Sequence, residues 1–251
     1  MRAGVSRGER GVRPALRRAL GRVAYAFGTH LSRALVFVFA RWEVVGAEHV
    51  PREGAVVLVA NHLHLFDPPL VIASSPRQLH PMAKRELFEV PLIGWYFWLL
   101  GAFPVRRFSA DVGALRAARG LLRSGQAVLM FPEGTRSRDT LLHAALPGAA
   151  TVALLADAPV LPVAITGTEQ IRVPGIFFAW MRGRRPPIRV VFGPPSPLAT
   201  SASEPRRAEL ATDELMRRIA ALLPEARRGA YAGPPGGEPV VARAATRPPT
   251  S

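Results

Sequence analysis

The 251-residue chain contains no cysteine. Without a thiol it cannot form a disulfide framework, a cysteine nucleophile or a zinc–thiolate site, and this absence fits a reducing compartment. The sequence also lacks an apolar run near the roughly 20 residues that a helix needs to cross a bilayer. No small-residue cleavage site follows a signal-type apolar core. We therefore expect neither a membrane span nor a secretory signal.

Metal ligands are sparse. One short segment offers three candidate ligands, which are His62, His64 and Asp67. Other histidines are scattered along the chain, at His49, His80 and His143. Hydrolases that use two metal ions carry denser clusters than this one. We therefore predict no metal site.

Acidic residues are few, and the resulting charge is uneven. The chain has a formal net charge of +15, and residues 1–41 hold nine arginines against the single acid Glu9. Such asymmetry indicates a polyanionic partner, either nucleic acid or an anionic membrane face. Because the aromatic residues lie in apolar company and no nucleic-acid recognition motif occurs, we expect no nucleic-acid partner.

The amino-terminal segment favours a membrane. Between residues 14 and 40, apolar residues recur every three or four positions, at Leu16, Leu20, Val23, Phe27, Leu31, Ala34 and Val38. Most arginines of the segment fall outside this stripe, which is typical of an amphipathic basic helix lying at a membrane interface. The alternative is a helix that simply docks on its own domain.

A second apolar segment, residues 90–103, contains no charged residue. It is too short to span a bilayer, and Pro91 and Gly94 interrupt it. Its aromatic residues, Trp95, Tyr96 and Trp98, are of the types that favour the bilayer interface. We interpret this segment as half core and half facing lipid or an acyl chain, with plain core as the alternative.

Between these features and the carboxyl terminus, strand and helix patterns alternate. This rhythm predicts an α/β fold with a mostly parallel central sheet and helices on both faces, preceded by the amphipathic membrane-interface helix. Expected strands cover 42–46, 55–60, 79–83, 127–131, 159–166 and 188–192; expected helices begin at 67 and cover 111–124 and 206–223. We divide the chain into a basic membrane-associating segment (1–41), a catalytic domain (42–223) and a disordered tail rich in Pro, Gly, Ala and Arg (224–251).

The strand expected at 55–60 is followed by a segment with catalytic chemistry. Asp67-Pro68 is typical of a helix start, with Asp as N-cap and Pro at the first helical position. His62 then lies at the carboxyl end of a strand, where open α/β sheets bind ligands. The Asp67 carboxylate can hold one imidazole nitrogen while the other takes a proton from a hydroxyl, as a general base does. The alternative is that Asp67 only caps the helix.

A second cluster, residues 131–137, follows the strand expected at 127–131. Gly134 lets the backbone approach a ligand, and Arg136 offers a planar fork that matches phosphate oxygens. Thr135 and Ser137 add hydroxyl donors. The alternative is a polar turn with an incidental ion pair.

Two further basic groups stand at expected strand ends. Residues 103–107 end in Arg106 and Arg107, and Lys84 is the only lysine among thirty-three basic residues. A chain that otherwise uses arginine throughout indicates a need for a compact ammonium at Lys84.

These motifs resemble those of the glycerolipid acyltransferases. His62 with Asp67 matches the family's His-x4-Asp motif, and residues 131–137 (Phe-Pro-Glu-Gly-Thr-Arg-Ser) match its second signature. Residues 101–107 and 160–168 resemble two further blocks in the right order, so the resemblance covers roughly residues 42–200. Within the family the chain looks most like the bacterial 1-acylglycerol-3-phosphate acyltransferases. Members commonly carry Phe-Lys-x-Gly downstream, where this chain has Ala145-Leu-Pro-Gly148.

The resemblance implies a reaction. His62, oriented by Asp67, would deprotonate the hydroxyl of lysophosphatidate, which attacks the thioester of acyl-CoA or acyl-carrier protein and yields phosphatidic acid. Neither an acyl-enzyme, nor a metal, nor a cofactor is implied. The enzyme would be peripheral or monotopic on the cytoplasmic face of the cell membrane. Another lysophospholipid, glycerol-3-phosphate or a glycolipid are alternative acceptors.

The resemblance also implies roles for binding residues. Three basic side chains would hold the acceptor phosphate, namely Lys84, Arg107 and Arg136. Glu133 would hydrogen-bond the glycerol portion or orient Arg136, within the loop that contains Gly134 and Thr135. Pro162 would help to shape the acyl pocket.

Overall fold

The structure, a computed structural model, describes residues 9–106, 111–171, 175–199 and 207–233. Within these ranges the strands are β1 (Arg41–Val45), β2 (Val56–Ala60), β3 (Leu79–Lys84), β4 (Phe103–Val105), β5 (Ala127–Met130), β6 (Val160–Thr166) and β7 (Pro187–Phe192). The α-helices of the same ranges are α1 (Glu9–Phe39), α2 (Asp67–Ser74), α3 (Pro91–Leu99), α4 (Val112–Arg123), α5 (Gly148–Ala156), α6 (Gly175–Met181) and α7 (Arg207–Leu222).

The strands form one sheet in the order β1-β7-β6-β2-β5-β3-β4. Every neighbouring pair is parallel except β6 and β7, so β1 and β7 run opposite to the other five strands. The central strand β2 pairs Val57 with Val128 of β5 and with Val160 of β6. The predicted α/β fold with a mostly parallel sheet is confirmed.

Helices cover both faces of the sheet. Val57 and Val59 of β2 lie in one core with residues of α4, α5 and α7, whereas Leu58 and Ala60 lie in a second core with residues of α2. Because successive side chains of a strand point to opposite faces, a strand covered on both sides must be apolar throughout. This explains the unbroken apolar run of β2.

Helix α1 docks on the domain through one face, on which Tyr25 and Val36 pack against the second core. Gly28 lies so close to α3 that an added Cβ would come within 3.2 Å of the Leu99 Cβ, and the Ser32 hydroxyl lies 2.6 Å from that of Tyr96. The apolar stripe points away, since Leu20, Val23 and Phe27 are 60%, 67% and 54% exposed. The helix thus docks on the domain, as the alternative expects, and membrane contact by the exposed part of the stripe stays a prediction.

Residues 90–103 divide as the half-core interpretation expects. Phe97, Leu99 and Leu100 are buried, whereas Leu92, Trp95 and Trp98 are exposed. What the exposed half contacts stays a prediction. Among the described helices, none is both long enough and apolar enough to cross a membrane.

The boundary of the tail needs correction. Residues 224–233, predicted to be disordered, form two short 3-10 turns at Glu225–Arg227 and Gly229–Tyr231. Tyr231 is buried in the core beside α7, and Ala230 N–H donates to Leu142 O. The buried Tyr231 ring thus packs residues 224–233 against the domain, although the composition of this stretch alone favours disorder. Residues 234–251 lie outside the described residues.

Candidate active site

The predicted site residues gather at one edge of the sheet. β2, β5, β3 and β4 are mutually parallel, so their carboxyl ends point the same way. His62 follows β2, the loop 131–137 follows β5, Lys84 ends β3 and Arg106 follows β4. Parallel α/β sheets bind ligands at this edge.

The Asp67 carboxylate bonds to three groups of the predicted catalytic loop, residues 61–66 between β2 and α2. Its Oδ2 lies 2.8 Å from His62 Nδ1 and accepts the N–H groups of Leu63 at 2.6 Å and His64 at 2.7 Å. Asp67 is fully buried and is the first residue of α2, which has Phe66 as N-cap and no side-chain cap bond. The N-cap role predicted for Asp67 is wrong, because its carboxylate turns back to the loop.

This arrangement determines the state of the His62 ring. With Nδ1–H donating to the carboxylate, Nε2 carries the lone pair that a general base needs. No hydrogen-bond partner for Nε2 exists within the described part of the chain. The Phe131 ring lies beside the imidazole, with centroids 4.4 Å apart, and restricts its rotation.

Asn61 anchors the loop to the sheet. Its side-chain amide donates to Ile165 O at 2.9 Å and its carbonyl accepts Ile165 N–H at 2.8 Å. An amide carries both a donor and an acceptor, so it continues the strand ladder for one more residue. Asn61 was not among the predicted site residues. Its position directly after a buried strand is the signal that could have indicated one.

Glu133 joins the two motifs. Its Oε1 accepts His62 N–H at 3.0 Å and its Oε2 accepts His143 N–H at 3.1 Å. Ser137 N–H donates to His62 O at 2.7 Å. The backbone N–H and C=O of His62 are therefore both bonded to residues of the loop 131–137. The resemblance implied that Glu133 would orient Arg136 or bond the glycerol portion. Both oxygens of the Glu133 carboxylate instead accept backbone N–H groups. Burial raises the pKa of Glu133 to about 7, against the opposing effect of its two N–H donors.

The Glu133 carboxyl should make stability depend on pH. Between its ordinary pKa of 4.5 and about 7, the folded state holds a proton that the unfolded state has lost. The free energy of unfolding should therefore fall as pH rises through this window, by on the order of 3 kcal/mol from this group. Urea titrations at several pH values should show that Glu133→Gln removes this contribution.

The comparison needs a matched control. Glu53 is exposed, so Glu53→Gln should leave the pH slope of the parent unchanged. A Glu133→Gln variant with the parental slope would contradict the assignment. A constant offset is expected, because Gln can satisfy only one of the two N–H donors and an unmet donor costs about 1–3 kcal/mol.

The His64 side chain has a different hydrogen-bond partner from the His62 side chain. Its Nδ1 accepts Phe66 N–H at 3.3 Å, and the two rings stack with centroids 5.3 Å apart. Desolvation lowers the pKa of His64, and the charges of Arg136 and His62 lower it further. Only the backbone of His64 bonds to Asp67, which favours His62 as the base.

The predicted phosphate ligands Arg136 and Lys84 come from neighbouring strands of this edge. Ser137 N–H donates to His62 O, so the loop that carries Arg136 contacts the loop after β2, and the Arg136 side chain is exposed. Lys84 is half-exposed, and its Nζ lies 3.3 Å from Glu86 Oε1. It is the last residue of β3, which pairs with β5 in parallel. The predicted phosphate ligand Arg107 lies outside the described residues.

Gly134 and Thr135 complete the second loop. Gly134 has φ 69°, and a Cβ there would lie 2.9 Å from Leu146 Cδ1, so this turn requires glycine. Thr135 is exposed beside Arg136. Within the described ranges, no group of three His, Cys, Asp or Glu side chains is arranged to hold a metal ion.

The acyl-pocket role implied for Pro162 and its neighbours stays a prediction, and the structure divides these residues between the two faces of the sheet. Pro162 lies in β6 with its ring near Gly193 and Leu222, on the side of the sheet covered by α7. An apolar cavity of about 230 Å³ lies on the opposite face, lined by residues that include Leu35, Phe39, Phe66, Leu70, Tyr96 and Ile171. Because alternate residues of a strand face opposite ways, Leu161 and Val163 point toward the cavity side and Pro162 does not.

Comparison with known proteins agrees with this geometry. The family model described as Acyltransferase matches residues 41–166. A 1-acyl-sn-glycerol-3-phosphate acyltransferase of Bacillus subtilis is 29% identical over 199 residues, which is 78% of this chain and 94% of that protein. A chloroplastic protein of the same name from Brassica napus is 31% identical over 143 residues, and the match covers 56% of this chain but only 41% of that relative's length.

A solved structure is also similar. The 1-acyl-sn-glycerophosphate acyltransferase PlsC from Thermotoga maritima superposes with a TM-score of 0.59 at 27% sequence identity, covering 84% of this chain and 83% of that one.

Proposed function

Because this chain belongs to the acyltransferase family, we propose that it moves a fatty acyl group from an acyl thioester to the hydroxyl of 1-acylglycerol-3-phosphate. The product is phosphatidic acid, a precursor for phospholipid synthesis. The observation that carries this proposal is the buried His62–Asp67 pair beside the loop that holds Arg136.

The reaction follows from the geometry of His62. Nε2 takes the hydroxyl proton while the acceptor oxygen attacks the thioester carbonyl carbon. The tetrahedral intermediate then collapses, the C–S bond breaks, and the thiolate leaves with the proton that His62 returns. The buried Asp67 carboxylate, held by two backbone N–H groups, stabilises the imidazolium formed between these steps.

The acceptor phosphate is held at the same edge. Arg136 and Lys84 offer a planar fork and a compact ammonium, and Arg107 is the third proposed ligand. A phosphomonoester carries about −1.5 to −2 charges near neutral pH, which charge-assisted hydrogen bonds from these groups can balance.

The apolar cavity between α1, α2 and α3 fits an acyl chain. Phe66 lines it and immediately precedes Asp67, so the cavity begins at the catalytic loop. Its hydroxyl groups on Ser32 and Tyr96 bond to each other, and most of the other lining residues are apolar, apart from Thr168. CoA and acyl-carrier protein present the same thioester, and either serves as donor in this proposal.

The outward face of α1 gives the enzyme its proposed location. Leu20, Val23 and Phe27 are exposed along one side of this helix, in a segment rich in arginine. Such a helix lies in the headgroup region of an anionic leaflet. We place the enzyme at the cytoplasmic face of the membrane, where its thioester donors are made.

An acyl-transfer assay on vesicles tests the proposed reaction. The acceptors compared are lysophosphatidate, glycerol-3-phosphate, lysophosphatidylcholine, a glycolipid and monoacylglycerol, each with acyl-CoA and acyl-carrier protein. Lysophosphatidate should give the highest kcat/KM, at least about tenfold above monoacylglycerol, because only the former presents a phosphomonoester to Arg136. Equal use of these two acceptors would contradict phosphate recognition. Transfer to none of them would refute the proposal.

A further inference from the structure

Helix α6 exposes large apolar side chains that the catalytic mechanism does not use. Phe177 is 50%, Phe178 57% and Met181 64% exposed on this seven-residue helix. A short connection between two strands ordinarily carries polar residues on its surface. So much apolar surface on one turn-and-a-half of helix indicates an interaction site.

The position of α6 links it to the active-site edge. It joins the carboxyl end of β6 to the start of β7, and β6 is parallel to β2, which leads into the His62 loop. Since β7 runs antiparallel to β6, both ends of this connection lie at the same edge. Residues 175–185 therefore belong to a connection at the edge of the sheet that carries His62.

Helix α6 also contacts the carboxyl end of α1. Trp180 meets Phe39 edge-to-face at 6.0 Å, and Arg185 Nη1 donates to Phe37 O at 3.3 Å. Toward the other end of α1, Phe27 contacts Trp95 of α3 at 6.5 Å. Twelve helical residues separate these two contacts, or about 18 Å. Aromatic contacts thus join α1 to both α6 and α3.

The charge next to α6 is of one sign. Residues 171–203 contain five arginines and no Asp or Glu. Of these, Arg182, Arg184 and Arg185 directly follow the helix and are exposed. Exposed aromatic residues beside a cluster of arginines match the acyl–headgroup boundary and the negative phosphates of an anionic leaflet.

We propose that the segment 175–185 is a further membrane-contact element, which binds the anionic lipid surface next to the catalytic edge. Its aromatic and methionine side chains enter the headgroup boundary, and its arginines contact lipid phosphates. Together with α1 it fixes the orientation of the sheet so that the carboxyl edge faces the bilayer. A lysolipid acceptor then reaches His62 without leaving the interface.

Vesicle flotation of the full-length protein tests this element without relying on acyl transfer. Two double variants address it, Phe178→Ser with Met181→Ser and Arg182→Ala with Arg184→Ala. Matched controls lie on α4 and α5, on the far side of the sheet. They are Val112→Ser with Leu155→Ser, both positions about half exposed, and Arg116→Ala with Arg123→Ala.

The α6 variants should bind vesicles of phosphatidylglycerol and phosphatidylcholine more weakly, by roughly 30-fold for the arginine pair. The control pairs should stay within about twofold of the parent. Binding of the arginine variant to pure phosphatidylcholine vesicles should change little. Circular dichroism and a thermal melt verify that each variant is folded. If the apolar double variant does not fold, the arginine double variant, whose residues are exposed, still tests the proposal.

Three outcomes would overturn the proposal. In the first, both α6 variants bind like the parent while Leu20→Ser with Val23→Ser on α1 releases the protein. That result would assign membrane binding to α1 alone. Another is an equal loss in the control pairs, which indicates a general charge effect. The third is unchanged vesicle binding with a shift from dimer to monomer in sedimentation, which assigns the surface to a second copy of the chain.

Discussion

Replacing His62 by Ala is expected to lower kcat for acyl transfer by about 10²- to 10⁴-fold, the usual contribution of a general base. The ring is the only part of His62 that the variant removes, and the backbone contacts to Glu133 and Ser137 remain. The fold and vesicle binding should therefore persist. Initial rates with saturating lysophosphatidate and acyl thioester measure the loss, and circular dichroism checks the fold.

Two neighbouring variants make this prediction specific. Asp67→Asn should lose less activity than His62→Ala, because Asp67 orients the ring and stabilises the imidazolium but takes no proton from the acceptor. His64→Ala should remain close to the parent, since the His64 side chain bonds to Phe66 and not to Asp67. Full activity in His62→Ala would reject the mechanism, and an inactive His64→Ala would show that the other histidine is the base.

The His62–Asp67 pair can be predicted from the sequence because the residues that form it are close together in the chain. An apolar run of five residues ends in turn-type residues, and only five positions separate the imidazole from its carboxylate. The rest of the site depends on long-range contacts. Glu133 reaches the His62 backbone across 71 residues and Asn61 reaches Ile165 across 104. No spacing rule reveals these contacts. Glu133 was therefore predicted to hydrogen-bond the glycerol portion or to orient Arg136, whereas its carboxylate accepts the His62 N–H.

A similar division applies to the fold. The stripe of α1 is visible in its periodicity, but which face docks depends on α3, where Gly28 and Ser32 allow a close approach. The direction of β1 and β7 is also hidden, because a strand has the same alternation either way. Helix α6 has only seven residues, too few for a helical period to show. The docking face of α1 and the direction of β1 and β7 depend on partners distant in sequence, whereas α6 was missed because it is short.

Replacing Arg136 by Ala should raise the KM for lysophosphatidate by about 10- to 150-fold, because a charge-assisted hydrogen bond contributes about 1.5–3 kcal/mol. The KM for the acyl donor should change by less than about twofold. Arg136→Lys should also be impaired, since a point charge cannot make the bidentate contact of a guanidinium. Steady-state kinetics with each substrate varied in turn separate the two KM values.

The neighbouring Arg138 is a suitable control, since it is equally exposed two residues away and Arg138→Ala should leave both KM values near those of the parent. Lys84→Ala should raise the acceptor KM as well, by a smaller factor because Glu86 already shares its charge. Monoacylglycerol, which has no phosphate, should be used equally poorly by the parent and by Arg136→Ala. If the donor KM rises instead, Arg136 binds the phosphates of CoA, and the acceptor phosphate must then be held by Lys84 and the other basic groups at this edge.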